Sequence, residues 1–181
     1  MDSSKPKFTV VPGPTQFEPH DERRLKYVRK VETRLVEDGN LEWFGGSLLN
    51  SKEFDRLFRR LREHDREKAI VLFMDRLNVP IGYDEWTGGI DFVALDIRQI
   101  FKVASMLNAS KIVMAHNHPE GNPAPSKGDE LMCLQLCQLA RLMDWEIYDF
   151  LVLGSNSYVS FRDSNNPNLL RPAGISGRTF A

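Results

Sequence analysis

Two histidines, a serine and an aspartate within fourteen positions are the residues of this chain best suited to chemistry. His116 and His118 are separated by one residue, and Ser126 and Asp129 follow after a short loop. Two imidazoles and one carboxylate form a ligand set that suits zinc, and three protein ligands leave a fourth coordination position for water. The pattern therefore predicts a catalytic zinc site with His116, His118 and Asp129 as ligands.

A strand must deliver the two histidines to the same place. Residues 111–115, just before the pair, are mostly apolar and β-prone, which indicates a strand ending at His116. Side chains two residues apart in a strand lie on the same face of the sheet, so both rings can reach one ion.

A proline-rich loop and a helix must deliver the third ligand. Residues 119–125 contain three prolines and a glycine, which favours a stiff turn. Ser126 is the predicted N-cap of the next helix, with Asp129 in its first turn. A serine three positions before an acidic residue also caps helices that bind no metal, but a simple cap does not require two histidines on one strand face. Apolar residues run along one broad side of this helix, as in a core-facing stripe: Leu131, Leu134, Leu136, Leu139, Leu142 and Met143.

The rest of the chain alternates between helix and strand patterns. This order predicts an α/β fold with a sheet flanked by helices. Predicted helices cover residues 21–36, 50–63 and 96–107, and further predicted strands cover residues 69–74, 79–85, 146–153 and 158–161. Cys133 and Cys137 are one turn apart on the helix after the motif, which favours two small apolar side chains in a helix–sheet interface.

Composition limits the class of protein. The chain has 181 residues, with 24 Lys and Arg against 25 Asp and Glu, so no basic excess indicates a nucleic-acid binder. No apolar run approaches the length of a membrane span, and the N-terminus has no signal-peptide core. We therefore expect a cytoplasmic protein without membrane association.

A hydrolase of this kind also needs a general base. Glu67 precedes the first predicted core strand, Glu85 ends the second, and Glu120 lies in the motif loop. A glutamate outside the metal's ligand set usually takes the proton from the attacking water. Spacing alone does not choose among the three.

The arrangement His-x-His, seven residues, Ser, two residues, Asp matches the zinc signature of the JAB/MPN metalloproteases, called the JAMM motif. The surroundings resemble the RadC-like branch, which carries a block very similar to residues 115–126 and an ending similar to residues 149–162. Glu120 and Asn122 stand where these relatives commonly carry Ser and Asp.

The resemblance implies a JAB/MPN fold, a mixed sheet flanked by helices in a three-layer arrangement like that of cytidine deaminases. It implies a Zn²⁺ cofactor, and it favours Glu67 as the base, because family members place that glutamate ahead of the first core strand. Water deprotonated by Glu67 would attack a peptide or isopeptide carbonyl, and Ser126 would help to hold the developing oxyanion.

The resemblance also implies partners. Relatives remove ubiquitin or ubiquitin-like tails from conjugates, so a ubiquitin-like protein or its conjugate is the expected substrate, for example in a bacterial antiphage conjugation system. The alternative that the RadC resemblance suggests is a DNA-associated role in repair or mobile-element biology. We expect an N-terminal arm and helix over residues 1–44, the JAB/MPN domain over residues 45–163, and a flexible tail over residues 164–181.

Overall fold

The computed structural model describes residues 41–43, 45–88, 95–164 and 170. The helix predicted over residues 21–36 and most of the predicted tail lie outside the described residues. Within the described part of the chain, no helix is both long and apolar enough to cross a membrane.

The described residues form an alternating set of strands and helices, in agreement with the predicted order. The strands are β1 Lys68–Met74, β2 Pro80–Thr87, β3 Lys111–Asn117, β4 Glu146–Leu153 and β5 Tyr158–Ser160. The helices are α1 Ser51–Leu57, α2 Ile97–Met106 and α3 Lys127–Leu142. The helix predicted over residues 50–63 is divided, because a 3-10 helix, Arg59–Glu63, follows α1.

Side-chain caps mark where the helices begin. The carboxamide of Asn50 accepts a hydrogen bond from the Glu53 amide at the start of α1. The carboxylate of Asp96 accepts one from the Arg98 amide at the start of α2. Each cap satisfies an amide that has no partner within its helix, so these two starts are encoded locally.

The five strands form one mixed sheet in the order β2-β1-β3-β4-β5. The β3–β4 pair is parallel and the other three pairs are antiparallel. Helix α3 connects the two parallel strands, which is the crossover that a parallel pair requires. The mixed sheet flanked by helices agrees with the predicted fold class and is consistent with a JAB/MPN-like architecture.

Alternate residues of the central strands pack against different helices. Side chains of Ala69, Val71, Phe73 and Met114 belong to a core that includes residues of α2 and α3, called here the α2–α3 core. Side chains of Ile70, Leu72, Val113 and Ala115 belong to a second core with residues of α1 and the 3-10 helix, called here the α1 core. The sheet therefore lies between two helical layers, and the face on which a side chain lies can be read from its position in the strand.

The predicted apolar stripe of α3 was wrong in part. Leu131, Leu139, Leu142 and Met143 are exposed, whereas Leu136 is buried as expected. The buried face of α3 consists mainly of smaller side chains: Cys133, Leu136, Cys137 and Ala140. The prediction that both cysteines lie in the helix–sheet interface is confirmed, because both are buried in the α2–α3 core.

Candidate metal centre

The two histidines lie at the carboxyl end of β3, as predicted. His116 is the penultimate residue of this strand, and the amide of His118 donates a hydrogen bond of 2.8 Å to the carbonyl of Leu153 at the end of β4. His116 pairs with Ala69 of β1, whose side chain is part of the α2–α3 core. The His116 ring therefore lies on the side of the sheet covered by α3, where the third ligand begins its helix.

The donor atoms of the three predicted ligands converge. His116 Nε2 lies 3.1 Å from His118 Nε2 and 3.0 Å from Asp129 Oδ1, and His118 Nε2 lies 3.5 Å from Asp129 Oδ2. The ligand atoms all lie within 4.8 Å of one another. One strand end and one helix start thus bring the two histidines together with Asp129, which lies eleven positions beyond His118.

These separations fit a metal ion. Tetrahedral zinc with bonds of about 2.0–2.1 Å to nitrogen places neighbouring donor atoms about 3.3 Å apart. The observed separations of 3.0 to 3.5 Å bracket that value. Both imidazoles are buried, and a buried group of two imidazoles and a carboxylate is a suitable donor set for a divalent cation. The group could therefore bind a metal ion.

The two rings are held in different ways. The Nδ1 of His118 lies 2.9 Å from the backbone carbonyl of Asn122. A proton on Nδ1 satisfies that carbonyl and leaves the Nε2 lone pair for a metal, which is the usual orientation of a ligating histidine. His116 makes an edge-to-face contact with Phe150, with ring centroids 5.6 Å apart, and among the described residues its Nδ1 has no hydrogen-bond partner. Apart from the contacts within the cluster, packing orients His116, whereas a hydrogen bond with a backbone carbonyl orients His118.

Asp129 belongs both to the capping box of α3 and to the cluster. The Ser126 hydroxyl and the Ser126 amide each donate a hydrogen bond of 2.7 Å to Asp129 Oδ2, and the Asp129 amide donates one of 3.1 Å to Ser126 Oγ. Ser126 is the N-cap of α3, as predicted. The cap and the metal hypothesis are therefore compatible, because the cap turns the carboxylate toward the histidines.

Burial and hydrogen bonding shift the pKa of the Asp129 carboxylate in opposite directions. Burial alone would raise the pKa of Asp129, but hydrogen bonds with His116 and His118 outweigh it and hold the pKa well below its usual range. The hydrogen bond with Asp129 in turn raises the pKa of His118, against the effect of burial. Asp129 consequently remains an anion at neutral pH, as a metal ligand must.

The motif loop is held by the turn between β4 and β5. Gly121 has a φ of +90°, and its carbonyl accepts a hydrogen bond from the Ser155 amide. A side chain at Gly154 would collide with the carbonyl of Gly121 and with Pro123, so the two backbones approach closely. Arg62 holds the turn from the other side, because its Nε donates a hydrogen bond of 2.8 Å to the Gly154 carbonyl. No local sequence pattern indicates this support, because its parts are far apart in the chain.

The three glutamates considered as the base occupy different positions. Glu85 pairs with Ile70, which belongs to the α1 core, so its side chain lies on the opposite face from His116. Glu120 approaches His118 at Nδ1, 3.4 Å away, which is the side of the ring turned from Asp129. Glu67 directly precedes β1, and the order of pairing places Lys68 and Ala69 beside the end of β3.

Glu67 is electrostatically coupled to the cluster. Partial burial raises the pKa of Glu67, and the charges of His116 and His118 act in the opposite direction. Asp129 and Glu120 add smaller effects that raise the pKa. Glu67 is therefore close enough to the cluster to feel the charges of all three of its members.

This site defines a class of protein: a mixed α/β sheet with a candidate metal centre at the carboxyl end of a parallel strand. Residues 49–166 match the family described as the RadC-like JAB domain. The match covers more than half of the 181 residues, so the chain belongs to that family. The predicted family is therefore confirmed, and the JAB superfamily to which it belongs has metalloprotease members.

Proposed function

We propose that this chain is a zinc-dependent peptidase or isopeptidase. The observation that carries the proposal is the convergence of His116, His118 and Asp129 with separations that suit tetrahedral zinc. A bound zinc ion would supply a Lewis acid and lower the pKa of water to about 7. Membership of a superfamily with metalloprotease members supports the same reaction class.

Two residues of the chain have the other proposed roles in the reaction. Glu67 takes a proton from the attacking water and returns it to the leaving amine, because its raised pKa makes it a stronger base than an exposed glutamate. Ser126 orients Asp129, because its hydroxyl donates a hydrogen bond to Oδ2. Its second proposed role, a hydrogen bond to the developing oxyanion, requires this single proton to turn from Asp129 to the substrate.

The substrate we propose is a ubiquitin-like protein or its conjugate, entering as an extended tail. Strand β2 forms one edge of the sheet among the described residues, and its end at Thr87 pairs with Lys68, next to Glu67. A tail added as a further strand along β2 would lead toward the metal centre. A tail rich in glycine would pass most easily, since it has no side chains to accommodate.

The test uses linear fusions in which ubiquitin-like proteins, including any encoded beside this gene, are joined through their C-termini to a reporter protein. Cleavage is followed by intact mass spectrometry, and bound metal by elemental analysis. The purified protein should contain about one zinc per chain and cleave at the modifier's C-terminus. A chelator should stop cleavage, and added zinc should restore it.

Matched variants separate the roles. His118→Ala should lose both zinc and cleavage, whereas Glu67→Gln should keep zinc and lose cleavage by a factor on the order of 10²–10⁴. Glu85→Gln is the control, because Glu85 lies on the opposite face of the sheet, and it should cleave at the normal rate. Full cleavage by Glu67→Gln would exclude Glu67 as the base, and full cleavage by the zinc-free protein would exclude the proposed reaction.

A further inference from the structure

Asn117 lies between the two histidines but faces away from them. It is the last residue of β3 and is 1% exposed. Because side chains alternate along a strand, its carboxamide lies on the opposite face from His116 and His118. A buried carboxamide is costly unless its donors and acceptor are used, so its partners on that face matter.

The partners of Asn117 are three backbone groups in a single short segment. Its Oδ1 accepts a hydrogen bond of 2.7 Å from the Lys68 amide. Its Nδ2 donates hydrogen bonds of 3.1 Å to the Arg66 carbonyl and 3.3 Å to the His64 carbonyl. Both amide protons and one oxygen lone pair are used. The reverse orientation of the amide would place two carbonyl oxygens against Oδ1, so the assignment is unambiguous.

The segment held in this way carries Glu67. Residues 64–67 link the 3-10 helix to β1 and belong to neither a helix nor a strand. Asn117 bonds to the residues on both sides of Glu67, and the carbonyl of Glu67 itself accepts a hydrogen bond from the Gly88 amide. The backbone around Glu67 is therefore tied to the same strand that carries the histidines.

We propose that Asn117 is a positioning residue that sets the place of the Glu67 carboxylate relative to the two histidines, without supporting the metal ligands themselves. This inference rests on the proposed function, in which Glu67 is the base. A displacement of about 1 Å in a reacting group can cost about a hundredfold in rate. Asn117 ties the backbone on both sides of Glu67 to the strand that carries the histidines, so it limits such a displacement.

The closing experiment compares two variants of Asn117 with one control. Asn117→Asp keeps the shape of the side chain but turns an oxygen toward the carbonyls of Arg66 and His64, and Asn117→Ala removes all three hydrogen bonds. Asp75→Ala is the matched control, because the Asp75 carboxylate accepts hydrogen bonds from the amides of Leu77 and Val79 just beyond the other end of β1.

Three measurements are made on each protein: amide exchange by NMR, zinc affinity by competition with a chelator, and cleavage of the fusions described above. In Asn117→Ala, which removes the acceptor of the Lys68 amide, that amide should exchange at least about tenfold faster, while zinc affinity should stay within about threefold in both Asn117 variants. The value of kcat should fall about a hundredfold, with KM within about threefold. The Asp75→Ala control should show none of these changes at the metal centre.

A double-mutant cycle identifies the group through which Asn117 acts. In a Glu67→Gln background, adding Asn117→Ala should lower the residual rate by less than about twofold, because the residue that it positions is already gone. A persistent hundredfold loss in that background would overturn the proposal, as would a tenfold fall in zinc affinity or an unchanged exchange rate at Lys68. If the unaltered protein cleaves no fusion, the proposed function fails, whereas the exchange and zinc measurements still decide whether Asn117 holds this segment or the ligands.

Discussion

Asp129 and Asp149 are two carboxylates removed from solvent whose pKa values move in opposite directions. Hydrogen bonds with His116 and His118 hold the pKa of Asp129 well below its usual range, despite burial. Burial raises the pKa of Asp149 to about 6, because its hydrogen bonds compensate only in part. Both carboxylates accept several hydrogen bonds, so the presence of donors alone does not explain the difference.

Asp149 is more deeply buried, and Asp163 also raises its pKa, but the charge of the donors differs as well. The Asp149 carboxylate accepts hydrogen bonds from the Ser160 hydroxyl and from the amides of Phe150 and Arg162, which are all neutral. Asp129 faces two imidazoles, which can carry a positive charge or share a cation. Neutral donors stabilise a buried anion less than a cation does, so only Asp129 is in surroundings that keep a carboxylate ionised for a metal.

The largest effect that we expect from this comparison concerns zinc. Asp129→Asn should weaken zinc binding about a thousandfold, or about 4 kcal/mol, because loss of a ligand should exceed the 10–100-fold typical of losing an outer partner. The measurement is a competition titration with a chelator at neutral pH. Asp149→Asn is the matched control and should bind zinc within about threefold of normal. Equal loss in both variants would contradict the difference drawn between the two carboxylates.

The next effect concerns stability and pH at Asp149. Its folded pKa of about 6 lies above the ordinary 3.8, so the folded protein binds this proton more tightly than the unfolded chain does. The stability contributed by that proton is present below about pH 4 and is lost as the pH rises through about 6. A shift of this size corresponds to about 3 kcal/mol.

Denaturant unfolding of the metal-free protein from pH 4 to 7.5 measures this loss. Asp149→Asn stays neutral and can keep its hydrogen bonds from the amides of Phe150 and Arg162, so it should lack this part of the pH dependence. The difference in unfolding free energy between the variant and the unaltered protein should therefore grow in favour of the variant by up to about 3 kcal/mol. A difference that is constant over this range would show that Asp149 does not titrate as described.

The elements of the site could be predicted from sequence because each depends on local signals. The β-prone residues before His116 and the serine that caps α3 are short-range features, and both lie where expected. The two-residue period of a strand predicted that the rings of His116 and His118 lie on one face of the sheet. The choice between Glu67 and Glu85 could not be made from local signals. It depends on the register in which β2 and β3 pair with β1, and that register is a property of the folded sheet.

The inward face of α3 was missed for a different physical reason. The prediction followed the largest apolar side chains, but a helix that packs closely on a sheet favours small ones, such as Cys133 and Ala140. Leu131 and Leu142 are exposed instead. Asn117 was missed because its partners lie 49 to 53 positions away, so no local pattern marks them.

The smallest effect concerns Ser126, whose contact with Asp129 either only caps α3 or also orients a ligand. Ser126→Ala should cost about 1 kcal/mol of stability, as the loss of an N-cap usually does, and should weaken zinc binding about tenfold. Asp96→Ala removes the N-cap of α2, which has no part in the metal centre, so it should cost similar stability and leave zinc affinity unchanged.

Ser126→Gly separates the two roles further. Glycine replaces serine at an N-cap at a cost of only a few tenths of a kcal/mol, but it cannot donate the hydroxyl hydrogen bond that Asp129 Oδ2 receives. If the serine orients the ligand, this variant should keep nearly normal stability in denaturant unfolding and still lose about tenfold in zinc affinity. If both quantities stay normal, the serine acts only as a cap, and the orientation of Asp129 comes from the histidines and the backbone amide of residue 126.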